Sequence, residues 1–354
     1  MKAATPPSPV RGYEGILLLS AADVTVRNNR VLDNDRDPGL SFTGALTACP
    51  GQPGSDVYEN DETGDCGGAI HLIGTDASVI ADNLITGNAD GVLISDETRE
   101  SRGNLLIGND IENNPLECGI VLASHPPMGN LSGPHYGVDG NTVADNISEN
   151  NGVQISGSGV EIASDGAGPG RATGNVIIDN RLIHNGDGGV SIHSHVGPAF
   201  GAPADDMSGN KIIGNFIARN LAAGADTATT GPVGININSG GGGSPIYGTV
   251  ISGNVIQQES MDIAVNTPAE VNIHLNQLLG NQIGVADVCA QDGGVCTGHI
   301  DATENYWGCP AGPGGHGCST ASGTDINSTP WLLLPPSVGQ RAQVPAPGQG
   351  GNGR

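Results

Sequence analysis

Four side chains in the middle of this sequence combine carboxyl and imidazole groups at a spacing that suits acid–base chemistry. Glu161 and Asp165 lie in one strand-like segment, and His193 and His195 lie in the next. A carboxyl group and an imidazole can act as the proton donor and proton acceptor of a reaction when they face the same bound molecule. These four residues are therefore the candidate catalytic groups.

Three nearby side chains are candidates for binding a substrate. His125, Asn236 and Asn238 carry groups that can donate and accept hydrogen bonds, as sugar hydroxyls do. The alternative is that these polar side chains are simply solvated, because the outer face of a repeat protein is polar in any case. A metal site is a weaker hypothesis, since two histidines without a tight set of further ligands do not define one.

Short β-strands must hold these candidate groups in place. A motif of glycine, apolar, any, apolar, any and serine starts at Gly15, Gly91, Gly119, Gly159, Gly189 and Gly234, with looser copies at Ala69, Ser260 and Gly284. Its period of two is typical of strands whose apolar side chains face inward. The alternation predicts one outward column that includes Glu161, Ser191, Asn236 and Asp262, and a second that includes His193, Asn238 and Ala264.

Two series of asparagines mark the turns between strands. The first contains Asn29, Asn83, Asn109, Asn146, Asn180, Asn215, Asn254, Asn276 and Asn305; the second, five residues further on, contains Asn34, Asn88, Asn114, Asn151, Asn185, Asn220 and Asn281, with Glu259 as an exception. Asparagine tolerates the left-handed turn conformation, and its amide can bond to the equivalent amide of the next coil. We expect both series to form ladders along a solenoid.

Strands this short must stack, because one of them alone cannot bury an apolar face. On its repeat pattern the sequence resembles the right-handed parallel β-helix repeat proteins of the pectate-lyase-like superfamily. The resemblance implies an all-β fold, a single-stranded right-handed parallel β-helix (solenoid) of about nine coils, and a polysaccharide or other glycan as partner. It does not decide between binding and catalysis, because one fold hosts many functions.

The predicted solenoid covers residues 13–334. An N-terminal extension (1–12) precedes it, a disulfide-closed insertion at about 35–67 interrupts it, a stapled loop (305–331) ends it, and a disordered tail rich in proline and glycine (335–354) follows. The motif starts at Gly15 without the polar cap of a terminal coil. Either further coils lie upstream of this chain, which is the favoured interpretation, or the uncovered strand edge docks on a partner.

The cysteines predict three local disulfides. The close pairs are Cys49 with Cys66, Cys289 with Cys296 and Cys309 with Cys318, and Cys118 is left over. Disulfides persist in oxidising compartments, so we expect an extracellular or cell-surface protein, although the sequence shows no apolar export signal.

The tripeptide Gly315-His316-Gly317 offers a different catalytic hypothesis. In the pectin-cleaving hydrolases such a tripeptide carries a catalytic histidine that works with Asn-x-Asp and Asp-Asp elements on neighbouring coils. Here Asp205-Asp206 is the only adjacent pair of aspartates, and it lies about three coils upstream. A structural turn is favoured. The basic residues Arg171, Arg181, Lys211 and Arg219 fall outside the strand motif, which argues against the lyase chemistry of the superfamily.

Charge excludes one class of partner and weakens another. Thirteen basic and 37 acidic residues give a net charge of −24, which repels nucleic acid. The same field opposes a polyanionic sugar unless calcium bridges the two, so calcium is an optional cofactor and none is certain. Asp33, Asp35 and Asp37 hint at calcium, but a solvated acidic turn is favoured.

Two hypotheses of different classes follow. The first is a non-catalytic β-helix protein, without a membrane span, that binds a polysaccharide along a strand face. The second is a carbohydrate-active lyase, hydrolase or epimerase that uses Glu161 or Asp165 with His193 or His195.

Overall fold

The chain is built from short strands that return to the same sheets in turn. The structure, a computed structural model, describes residues 15–34, 68–124, 134–154, 156–164, 169–194, 198, 201, 203–222, 232–239, 243–279, 282–288 and 298–337. The 30 strands in these ranges are numbered β1 to β30 along the chain. Within the same ranges no helix is long and apolar enough to cross a membrane.

Several predicted segments lie outside the described residues. They are the extension at 1–12, the insertion at 35–67 with Cys49 and Cys66, the pair Cys289 and Cys296, and the tail beyond residue 337.

Three long sheets contain nearly all of the strands, and a short one contains two. The first sheet comprises β1 (Ile16–Leu19), β4 (Ile70–Ile73), β7 (Val92–Ser95), β11 (Ile120–Ser124), β15 (Val160–Ser164), β18 (Gly188–Ser194), β21 (Val233–Asn238), β24 (Met261–Asn266), β27 (Ile283–Asp287) and β29 (Thr320–Ser322).

The second sheet comprises β2 (Thr25–Arg27), β5 (Val79–Ala81), β9 (Leu105–Ile107), β13 (Thr142–Ala144), β16 (Val176–Ile178), β19 (Lys211–Ile213), β22 (Thr249–Ser252), β25 (Val271–His274), β28 (Ile300–Asp301) and β30 (Ile326–Asn327). The third comprises β3 (Arg30–Leu32), β6 (Leu84–Thr86), β10 (Asp110–Glu112), β14 (Ile147–Glu149), β17 (Arg181–Ile183), β20 (Phe216–Ala218), β23 (Val255–Gln257) and β26 (Gln277–Leu279). The short sheet pairs β8 (Ser101–Arg102) with β12 (Val138–Asp139).

Strands pair in parallel with their equivalents one coil away, so like positions stack in columns. Ile120 of β11 pairs with Val92 of β7 on one side and with Val160 of β15 on the other. Inward-facing isoleucine, leucine and valine side chains from the three sheets form one continuous core. The prediction of an all-β parallel β-helix is confirmed.

The glycine that opens the strand motif is required by the core. At Gly91 a Cβ atom would overlap the carbonyl oxygen of Gly119 and lie 2.7 Å from Cγ2 of Ile111. The chain turns the corner into the first sheet at this point, where the backbone of one coil closely approaches that of the next. A side chain there would separate the coils.

The two predicted asparagine ladders form among the described residues, which do not include Asn281, and a third lies beside them. In each ladder the side-chain oxygen of one asparagine accepts hydrogen bonds from the backbone N–H and the amide of its counterpart one coil earlier, as Asn180 does from Asn146 at 2.9 and 3.0 Å. The third ladder consists of Asn104, Asn141, Asn175 and Asn210. Sequence analysis counted two ladders because this one occupies fewer coils.

The left-handed turn conformation belongs to the residue before each ladder asparagine, which corrects the expectation from sequence. Asp82, Asp145 and Asp179 have φ values of 51°, 54° and 55° and directly precede Asn83, Asn146 and Asn180. Aspartate tolerates the left-handed region of backbone conformation. The asparagine that follows does not have to adopt this conformation, and its side chain bonds to the next coil.

Glu259 occupies the second ladder where an asparagine is expected. Its carboxylate accepts hydrogen bonds from the backbone N–H of Asn220 at 3.1 and 3.2 Å and from the Asn220 amide at 2.9 Å. Burial raises the pKa of Glu259 from 4.5 to about 7, against the opposing effect of these hydrogen bonds. Ionisation of this buried carboxyl group therefore lowers the stability of the folded protein. A neutral amide at the same position would not have this effect.

We expect Glu259→Gln to stabilise the protein at pH 8 and to have little effect at pH 4. The pKa of Glu259 is higher in the folded chain than in the unfolded chain, so its contribution to stability is complete below about pH 4.5 and is lost as the pH rises to about 7. The shift corresponds to a gain on the order of 3 kcal/mol at most. Thermal unfolding of both proteins at the two pH values measures it. An equal change in Tm at both would contradict the assignment.

A ladder asparagine, a buried tryptophan and a disulfide lie together at the C-terminal end of the described solenoid. Asn276 donates to Asn305 at 3.0 Å, so Asn305 continues the first ladder. The fully buried Trp307 packs against Gly284. Cys309 and Cys318 form a disulfide around a turn in which His316 is exposed.

Candidate functional site

Three consecutive strands of the first sheet bring most of the candidate groups together. β15, β18 and β21 pair in parallel, so Glu161 lies beside Ser191 and Ser191 lies beside Asn236. In the next column, His193 lies beside Asn238. These neighbours agree with the two columns that the strand motif predicted for these coils.

Direct polar contacts link these side chains. Nε2 of His193 lies 3.7 Å from Oε1 of Glu161, and Nδ1 of His193 lies 2.9 Å from the Ser191 hydroxyl oxygen. The Asn236 amide donates to that same oxygen at 3.1 Å. In a neutral imidazole, a Ser191 hydroxyl that donates to Nδ1 leaves Nε2 as the protonated nitrogen facing Glu161. The imidazole therefore presents an N–H toward the carboxyl group and acts as its electrostatic partner at 3.7 Å.

The thiol of Cys118 is a further member of this cluster. It donates a hydrogen bond to Oε2 of Glu161 at 3.0 Å and accepts one from the backbone N–H of Ser158 at 3.1 Å. Burial, together with the negative charge of Glu161, raises the pKa of the thiol well above its usual range, so it stays neutral. Sequence analysis treated Cys118 only as an odd cysteine. Its position directly before the strand motif at Gly119, one coil from Glu161, was the available signal.

The outer face of the first sheet is buried over most of its length. All residues of β4, β7, β15, β18 and β21 are buried. On β11, in contrast, Val121 and Ala123 are partly exposed. Val121 pairs with Glu161, whose side chain is 9% exposed, whereas that of His193 is 0% exposed. Glu161 is therefore the less buried member of the pair, and it lies beside the partly exposed strand β11.

The predicted columns are wrong at β24. The structure pairs Asn236 with Ala264 rather than with Asp262. It pairs Asn238 with Asn266 rather than with Ala264. The motif of this coil lacks its leading glycine, and Asp262 takes the glycine position, so the sequence alignment was two residues out of register. As a result the amide of Asn266 donates to the side-chain oxygen of Asn238 at 3.0 Å and adds one more amide to the column.

Some candidates are not placed by the structure. His125, Asp165 and His195, and with them Asp35 and Asp37 of the calcium hypothesis, lie outside the described residues. In the part of the chain that is described, no group of three or more His, Cys, Asp or Glu side chains is arranged to hold a metal ion.

A second carboxyl–imidazole pair lies on the same sheet and provides an internal comparison. Nε2 of His71 lies 3.8 Å from Oε1 of Glu97. The Ser95 hydroxyl donates to that carboxylate at 2.8 Å and lies 3.1 Å from the imidazole. The Glu97 side chain is 0% exposed. This pair has the composition of the Glu161 cluster but no solvent-accessible carboxylate.

Asp205, the aspartate of the hydrolase hypothesis, has structural partners. Its carboxylate accepts hydrogen bonds from the backbone N–H of Gly170 at 2.8 Å and from the Ser194 hydroxyl, and burial raises its pKa. Ser194 ends β18, whereas His316 precedes β29, so β21, β24 and β27 of the first sheet lie between them. Asp205 and His316 are therefore on well-separated coils, as the sequence suggested.

Comparison with solved structures shows resemblance at low identity. The complex of XylC with xylose superposes with a TM-score of 0.36 and 12% identity, covering 68% of this chain and 37% of that one. DFA-IIIase from Arthrobacter chlorophenolicus A6 without its lid superposes with a TM-score of 0.35 and 14% identity, covering 88% of this chain and 68% of that one. Pectate lyase Pel9A superposes with a TM-score of 0.29 and 13% identity, covering 90% of this chain and 69% of that one. This chain thus spans little more than a third of the XylC structure.

Comparison with protein families gives a clearer result. No match was found among curated proteins. The family model described as the right handed beta helix region matches residues 10–200, which is more than half of the chain. The stacked parallel strands, the asparagine ladders and this match lead to one conclusion: the chain belongs to the right-handed β-helix family.

Proposed function

We propose that this protein binds a polysaccharide or other glycan along the outer face of the first sheet. The observation that carries the proposal is the polar column on β15, β18, β21 and β24. Glu161, Ser191 and His193 are followed by the amides of Asn236, Asn238 and Asn266, at a spacing of about 4.8 Å from strand to strand. Because Ser191, His193 and the three amides are buried, we assign contact with the sugar hydroxyls to Glu161, the least buried member of the column.

A purely structural role explains this column less well. Burying a carboxylate and an imidazole costs several kcal/mol unless their partners compensate, and apolar residues of similar size are often at least as stabilising. Neighbouring strands carry such residues in the same columns, for example Leu93 and Ala163. Clusters of buried ionisable groups are typical of functional sites. We therefore assign the column to ligand recognition.

The proposed location is extracellular or at the cell surface. The disulfide between Cys309 and Cys318 supports it, because disulfides persist in oxidising compartments. An outward-facing glycan-binding protein would also be compatible with the net charge of −24, which keeps such a protein soluble.

Binding to an array of plant, fungal and bacterial glycans tests the proposal. For any glycan that binds, Glu161→Gln is expected to weaken the affinity about tenfold or more, because a charged hydrogen-bond acceptor is lost. Glu97→Gln is the matched control: it alters the comparison pair, whose carboxylate is not exposed, and should leave the affinity unchanged. Equal effects of the two substitutions, or no binding to any glycan, would contradict the proposal.

Catalysis at the same position is a second candidate function. It is favoured by one observation: Glu161 is the less buried member of its pair with His193, and the imidazole lies 3.7 Å from its carboxyl group. Glu161 would exchange a proton with a sugar oxygen, and the Nε2–H of His193, as a positioning residue, would stabilise the carboxylate in its ionised state. Asn236 and Ser191 would fix the imidazole in the required tautomer.

A further inference from the structure

We infer that the bound glycan is neutral and that one of its sugar rings lies on β11, over Val121 and Ala123. This inference rests on the proposed function and specifies its ligand. The juxtaposition that carries it is a small apolar floor, formed by the partly exposed Val121 and Ala123, directly beside Glu161, whose side chain is 9% exposed.

The opening over β11 is defined by its neighbours. Val121 lies between Leu93 and Glu161, and Ala123 lies between Ser95 and Ala163. The side chains on the flanking strands are buried, so the surface of β11 is where a ligand can contact this face without displacing them.

The floor suits the apolar face of a sugar ring. Ligand sites combine a mainly apolar surface with a few placed polar groups that fix orientation. Val121 and Ala123 are partly exposed and provide aliphatic contact. The Glu161 carboxylate at the edge of this floor can accept hydrogen bonds from ring hydroxyls.

The distribution of basic residues argues against a uronate at this place. Between residues 103 and 340 the sequence contains four basic residues, Arg171, Arg181, Lys211 and Arg219. Arg181 and Lys211 belong to the third and second sheets, and Arg219 follows a strand of the third. Arg171 forms ion pairs with Asp139 at 2.8 Å and with Glu100 at 3.3 Å. No lysine or arginine belongs to a described strand of the first sheet. A sugar carboxylate on this face would thus meet Glu161 without a neighbouring cation from that sheet.

Titration of two oligosaccharide sets tests this inference. One set is neutral (xylo-, cello- and manno-oligosaccharides) and the other is oligogalacturonate of matched length, with and without calcium. We expect a neutral oligosaccharide to bind and Ala123→Trp to weaken its affinity about tenfold or more by filling the floor. The matched control is Ala321→Trp, which changes an exposed alanine on β29 at the far end of the same sheet. If Ala123→Trp does not fold, Val121→Asp removes the apolar floor without added bulk and should weaken binding similarly.

The outcomes separate this inference from the proposed function. If oligogalacturonate binds with or without calcium, and the binding depends on Glu161, the inference of a neutral ligand would be wrong. The proposed function of glycan binding would still hold. Neutral binding that is insensitive to both floor substitutions would overturn the position on β11. Absence of binding to any sugar would overturn the proposed function and this inference together.

Discussion

Replacing Asn180 with alanine is expected to destabilise the solenoid by about 3–5 kcal/mol. Its side-chain oxygen accepts two hydrogen bonds from Asn146, and its amide donates to the side chain of Asn215 at 3.0 Å. The amide also donates to the carbonyl oxygens of Val143 at 2.9 Å and Ile178 at 3.0 Å. Alanine leaves these buried partners without Asn180, and each unsatisfied group costs more than a hydrogen bond contributes.

Equilibrium unfolding in denaturant measures this loss. Asn272→Ala is a suitable control, because Asn272 is a partly exposed asparagine in β25 and not a member of the ladders. We expect that substitution to cost less than about 1 kcal/mol. Similar losses for the two variants would show that the ladder does not hold the coils together.

For a glycan that the protein cleaves or rearranges, Glu161→Gln is expected to reduce turnover about a thousandfold. The amide keeps the shape of the side chain and one hydrogen-bond acceptor, but it can neither release nor take up the proton. Binding should fall much less, about tenfold, so the loss appears in kcat more than in KM. Product analysis by chromatography, with Glu97→Gln as control, provides the measurement.

His193→Ala distinguishes the positioning role from a structural one. Loss of the imidazole should move the pH at which kcat/KM falls, because that pH reports the ionisation of the free enzyme's acid and base. Unchanged turnover in Glu161→Gln would contradict catalysis at this site. A wild-type protein that binds a glycan and yields no product from it would leave binding as the function and would remove the second candidate alone.

The fold could be predicted because its physical requirements recur in every coil. Each coil needs a residue whose amide reaches the next coil, and a glycine where the backbone of one coil approaches another, so Asn146, Asn180 and Gly91 stand at regular intervals. Prediction failed where a coil departs from the pattern. At β24, Asp262 replaces the glycine, and the columns were aligned two residues away from their true register.

The chemistry of the site was less predictable than its location. The columns placed Glu161 and His193 on neighbouring strands, since alternation and stacking decide that. The burial of His193 could not be derived from alternation, which predicts only that its side chain faces outward. The contact of Cys118 with Glu161 depends on the path of the chain before β11, which no repeat position specifies.

A crystal structure of the protein with a neutral oligosaccharide that it binds would show where the sugar lies. The account predicts a sugar ring resting on Val121 and Ala123, with a hydroxyl or glycosidic oxygen at hydrogen-bond distance from Glu161. A sugar bound on another sheet, or one that makes no contact with Glu161, would contradict the claim.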